Sequence, residues 1–190
     1  DGTHPMTVFE VTSSQYDFDA MNLKHWDTDN HDMTSGSFGR GTVYRGIKGY
    51  TYFAAEERIQ VYDVNSAGSA SRVGQPFDWS GSLHQGGSGD DHNRGRFIQK
   101  MVSDDGHLYC ATAGGSIISF SVSSEGALTY VDAIKPSTFT ATGNNRLYIP
   151  YMGVSATGGT NKLFVAMDDY GLASFTVYNG VFTQVSTDDQ

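Results

Sequence analysis

Three segments of the chain repeat one pattern: YTYFAAEERIQVYDV (50–64), HLYCATAGGSIISFSV (107–122) and KLFVAMDDYGLASFTV (162–177). Each is an apolar run with a small residue near its end, then a turn, then an alternating run closing on Val64, Val122 or Val177. A fourth copy of the second half, MTVFEV, closes on Val11, so the closing valines are 53, 58 and 55 residues apart. A period of this length marks stacked supersecondary units, none of which buries its own apolar faces alone.

Each closing run is followed by a polar turn and one more short strand: YDFDA, ASRVG, LTYVDAI or VFTQVS. In YNGV (178–181), Asn179 and Gly180 supply the positive φ that a tight hairpin needs. One further strand precedes each paired segment: TVYRGI (42–47), RFIQKM (96–101) and RLYIPYM (146–152). Helical periodicity is absent, and 23 Gly, 11 Tyr and 11 Phe suit short strands joined by tight turns. The unit is therefore four short antiparallel strands. A β-sandwich also has many short strands but does not predict the repeat, whereas a β-propeller blade does.

The repeat resembles that of lactonase-like and related seven-bladed propellers. The matching residues are Leu108 to Ala111 with Ile117 to Val122 and Leu128, and Leu163 to Ala166 with Leu172 to Val177. These are structural positions, so the resemblance implies an all-β propeller fold and assigns no catalytic residue.

The expected organisation is a pair of outer strands over 5–20 and complete blades over 40–74, 94–134 and 146–187. About three and a half blades make an incomplete ring, since closure takes at least about four. An open arc exposes apolar faces and strand edges. The chain is thus expected to be a fragment or subunit. Further blades or an additional chain, in a homo- or hetero-oligomer, would close its ring.

A net charge of -9 with 12 scattered basic residues excludes a nucleic-acid footprint. No apolar run reaches the roughly 20 residues of a membrane-spanning helix. Cys110 is alone, so no intramolecular disulfide forms, and its apolar strand makes it a core residue.

The loops between blades are where chemistry is expected. HWDTDNHDMTSGSFGR (25–40) and DWSGSLHQGGSGDDHNRGR (78–96) share a Trp followed five residues later by His: Trp26 with His31, and Trp79 with His84. Arg40, Arg94 and Arg146 stand at the mouths of the next strands. The tryptophans are read as blade-packing residues or as a stacking platform for a ligand. The arginines either bind an anion at the channel mouth or bond neighbouring loop carbonyls and carboxylates.

His25, His31, His84 and His92, beside Asp27, Asp29, Asp32, Asp90 and Asp91, form the candidate metal set, and a divalent ion is the cofactor they would take. The run from Asp27 begins like a calcium loop. However, its sixth and twelfth positions are Asp32 and Phe38, where an EF-hand needs Gly and Glu. The third inter-blade loop (135–146) lacks both Trp and His. With no compact catalytic constellation, the favoured expectation is a non-catalytic binding or structural module within a larger assembly. The alternative is part of a propeller enzyme, either a lactonase-like hydrolase or a metal-dependent oxidoreductase.

Overall fold

The structure, a computed structural model, describes residues 4–11, 23–31, 41–45, 49–55, 58–64, 70–78, 98–104, 106–112, 115–134, 151–157, 160–167 and 170–188. Among these the regular elements are fourteen strands. The first two are β1 (His4–Val11) and β2 (Leu23–His31), which pair as an antiparallel two-stranded sheet. A first four-stranded sheet holds β3 (Gly41–Arg45), β4 (Tyr50–Ala55), β5 (Arg58–Val64) and β6 (Ala70–Asp78). A second holds β7 (Ile98–Ser103), β8 (His107–Thr112), β9 (Ile117–Val122) and β10 (Leu128–Ile134). A third holds β11 (Tyr151–Thr157), β12 (Thr160–Ala166), β13 (Leu172–Tyr178) and β14 (Val181–Asp188).

Within each four-stranded sheet, spatial order follows chain order and every neighbour is antiparallel. The first strands lie together, β7 against both β3 and β11, and the outer strands β10 and β14 also approach each other. These are propeller blades stacked face to face. The chain has an all-β propeller fold, and among the described residues its sheets do not close into a ring.

Successive side chains of a strand point to opposite faces, so a blade held between two others must be apolar on both. The second blade shows this directly. Leu108, Cys110, Ile118, Phe120 and Val122 pack with Tyr52, Ala54, Ile59 and Val61 of the first blade. Their alternates Tyr109, Ala111 and Ile117 pack with Leu163, Val165, Ala173, Phe175 and Val177 of the third. The opposite face of the first blade (Thr51, Phe53, Gln60, Tyr62 and Val64) is buried as well. Cys110 is a free, buried core thiol, as its strand implied.

The pairing of third and fourth strands slips once in every blade: between Ile59 and Val61, between Tyr130 and Asp132, and between Ser174 and Phe175. Such bulges increase local twist, which the outermost strand of a radial blade needs. In the first blade the Gln60 amide meets this slip, its Nε2 donating to the carbonyls of Val61 (2.9 Å) and Val73 (3.3 Å). Asn179 (φ 50°) and Gly180 (φ 79°) turn β13 into β14 with the positive φ expected of them.

One expectation is corrected. Residues 25–31 are not loop: they belong to β2, the partner of β1, while YDFDA (16–20) lies outside the described residues. Asp, Asn and His have low strand propensity, which hid this strand, but charged residues are tolerated on an edge strand. In the third blade the first strand is described from Tyr151, and Arg146 to Pro150 of the expected strand lie outside the described residues.

Candidate functional site

The densest polar constellation among the described residues lies at the seam between the second and third blades, centred on Asp104. Asp104 follows β7 in the sequence SDDGH, where a short acidic side chain can bond the backbone two residues on. Its Oδ1 accepts hydrogen bonds from the N–H groups of Gly106 (2.8 Å) and His107 (2.7 Å), and the His107 Nδ1 lies 3.3 Å away. Its Oδ2 accepts from the Tyr109 hydroxyl of the same blade and from Asn161 Nδ2 on β12 of the next, each at 2.5 Å.

Burial alone would raise the Asp104 carboxyl. The Tyr109 hydroxyl, the two backbone N–H groups and the His107 charge outweigh it and hold the group below its ordinary value. Burial, together with the hydrogen bond to the carboxylate, pushes the Tyr109 phenol upward, so it stays a protonated donor. A carboxylate already accepting from four donors has little capacity left as a general base or nucleophile. The arrangement works as a clasp between blades.

The same seam has two more polar links. Ser119 Oγ donates to the Gly180 carbonyl (2.5 Å), and the Phe182 N–H donates to Asp132 Oδ2 (2.9 Å). The His107 ring lies so close that a Cβ on Gly180 would come within 2.8 Å of its Cδ2. At the seam between the first and second blades, Tyr50 takes the position of His107, and a Cβ on Gly126 would lie 2.9 Å from its ring. There the Ser103 N–H donates to the Tyr44 hydroxyl (3.0 Å), and the Tyr50 hydroxyl donates to the Ser124 carbonyl (3.2 Å). Phe77 and Phe120 meet edge to face, with centroids 5.0 Å apart.

Of the residues singled out in the sequence, His25, Trp26, Asp27, Asp29 and His31 lie on β2. His25, Asp27, Asp29 and His31 pair with Phe9, Val8, Met6 and His4, and the ladder slips at Trp26. Arg40, Trp79, His84, Asp90, Asp91, His92, Arg94 and Arg146 lie outside the described residues, as does Asp32. Among the described residues no three His, Cys, Asp or Glu side chains gather as a metal site. Sequence reasoning missed Asp104, His107, Asp132 and Asn161. The Asp-x-Gly turn signals the local half of the clasp, but its bond to Asn161 emerges only once the blades are stacked.

No protein-family model and no curated protein matches the chain. Among solved structures it is similar to the crystal structure of a protein from Lactobacillus plantarum, a structural genomics target. The TM-score is 0.65 at 17% identity, and the match covers 96% of this chain and 50% of that one. The chain thus spans half the length of its structural neighbour. At this identity the likeness is one of fold.

Proposed function

We propose that the chain is a non-catalytic β-propeller module, acting as a binding or structural part of a larger assembly or longer polypeptide. The observation that carries this reading is the fate of the polar side chains at the best-described seam. Asp104, Tyr109, Asn161, Ser119 and Asp132 all bond across or along the blade interface. That is the chemistry of a scaffold, and it supports a role in presenting surfaces. Ligand contact is proposed for Arg40, Arg94 and Arg146, which would meet an anion, with Trp79 and the β2 residue Trp26 stacking beside it.

Elemental analysis of the purified protein, with lactone and ester hydrolysis assays on wild type and a His31→Ala/His84→Ala double variant, tests the reading. The expected result is no stoichiometric transition metal and no turnover that depends on the two histidines. Stoichiometric Zn, Cu or Fe, or turnover abolished in the double variant, would replace this reading with the propeller enzyme.

A further inference from the structure

Among the described residues, no blade covers the face of the third blade turned away from the second. Cross-strand pairing places Tyr151, Phe164, Ala166 and Leu172 on it beside Gly153, Ser155, Lys162, Ser174 and Thr176, with Tyr178 and Val181 at one end. Tyr151 is 66% exposed, Leu172 43%, Tyr178 68% and Val181 51%. In the repeat, Phe164 stands where Tyr52 and Tyr109 stand in the first two blades, Ala166 where Ala54 and Ala111 stand, and Leu172 where Ile59 and Ile117 stand. All six of those counterparts are buried, and each set faces the blade that follows it. The third blade therefore carries the donating half of an interface, and the described residues hold no matching receiving half. Exposed large apolar side chains beside Lys162, Ser174 and Thr176, at positions whose counterparts are buried in the other blades, mark this face as an interaction site.

We infer that this face seats a further four-stranded blade supplied by polypeptide outside residues 1–190, an inference that rests on the reading of the chain as part of a larger propeller. The two seams already present define what that blade must bring. Its second and third strands present a row of Leu, Val and Phe, as Leu108, Ile118 and Phe120 do to the first blade, and as Leu163, Val165 and Phe175 do to the second. Its outer hairpin places a positive-φ glycine over Lys162, the residue that stands where Tyr50 meets Gly126 and His107 meets Gly180. A second copy of this chain does not meet the requirement. The receiving faces of its second and third blades are occupied, and the matching face of its first (Phe53, Gln60, Tyr62 and Val64) is already buried within the chain.

The test uses thiol labelling of the full chain carrying Leu172→Cys, because Cys110 is buried and its thiol is pushed well up by that burial. A duplicate of residues 94–134, with Cys110→Ala in the duplicate, is appended after Gln190. Its linker matches the 16 residues that join Ile134 to Tyr151. The expected result is rapid labelling of the chain alone and labelling at least about tenfold slower with the appended blade. A Phe120→Glu change in the duplicate should restore the rapid rate. Unchanged labelling with the appended blade overturns the inference. So does concentration-dependent protection of the chain alone, which would make a second copy the occupant. Neither outcome bears on metal content or histidine-dependent turnover, so the reading of the module as non-catalytic stands or falls separately.

Discussion

Asp104→Ala removes the acceptor that joins the second and third blades. The two backbone N–H groups it serves sit at a turn that water can reach, so they recover solvent hydrogen bonds. Tyr109 does not: its side chain is fully buried, and a buried donor left without an acceptor costs about 1–3 kcal/mol, while the half-buried Asn161 loses its bond to the carboxylate. Adding the lost charge-assisted character, the expected destabilisation is about 3–5 kcal/mol, a large share of the roughly 5–15 kcal/mol that holds a typical domain. Urea unfolding should show a lower midpoint at unchanged slope. A double-mutant cycle with Asn161→Ala should give a coupling of about 1–2 kcal/mol, since the two residues share one bond across the interface. A loss below about 1 kcal/mol for Asp104→Ala, or a coupling indistinguishable from zero, would refute the clasp.

The clasp also predicts a pH dependence. Because the folded carboxyl is held below its ordinary value of 3.8, its contribution is fully present above that pH and is lost as the pH falls through the folded value. The stability gap between wild type and Asp104→Asn should therefore narrow on acidification below about pH 4 in urea melts, and a pH-independent gap would contradict it. Gly180→Ala adds a methyl at φ 79° and 2.8 Å from the His107 ring, so a loss of at least about 1–2 kcal/mol is expected. Gly74→Ala, also at positive φ but with nothing within 4 Å, should cost less in the same denaturation assay. Phe120→Ala empties a fully buried position against Phe77 and should cost about 3–5 kcal/mol. Cys110 should resist thiol reagents in native buffer and react only on unfolding.

The architecture was legible because its cause is periodic. A blade covered on both faces needs apolar residues at consecutive strand positions, and runs such as Leu108–Ala111 and Ile117–Phe120 display that requirement in the sequence. The turn at Asn179-Gly180 was legible for a local reason, positive φ at adjacent positions. Strand β2 was not, because HWDTDNH looks like loop chemistry and only pairing with β1 makes it a strand. The polar clasp was half legible. Asp104 announces its own turn, but Asn161 lies 57 positions away, and nothing local ties the two together.

Apolar burial and polar bonding divide the work at the seams. The apolar faces of the blades are built alike, with small and aliphatic residues recurring at matched positions, so hydrophobic burial favours stacking without saying which blade follows which. The polar links differ. The first seam joins a Tyr44 hydroxyl to Ser103, whereas the second joins an Asp104 carboxylate to Asn161 and an Asp132 carboxylate to the Phe182 N–H. A blade placed at the wrong seam would take one donor from each of these half-buried carboxylates, Asn161 from Asp104 and the Phe182 N–H from Asp132, at a cost of about 1–3 kcal/mol apiece. Directional bonds at the strand ends thereby set the order that the repeat itself leaves degenerate. On the open face, Lys162 Nζ donates at 3.4 Å to Thr176 Oγ1 of its own blade. The blade seated there would have to meet an ammonium group where the two existing seams meet an aromatic ring.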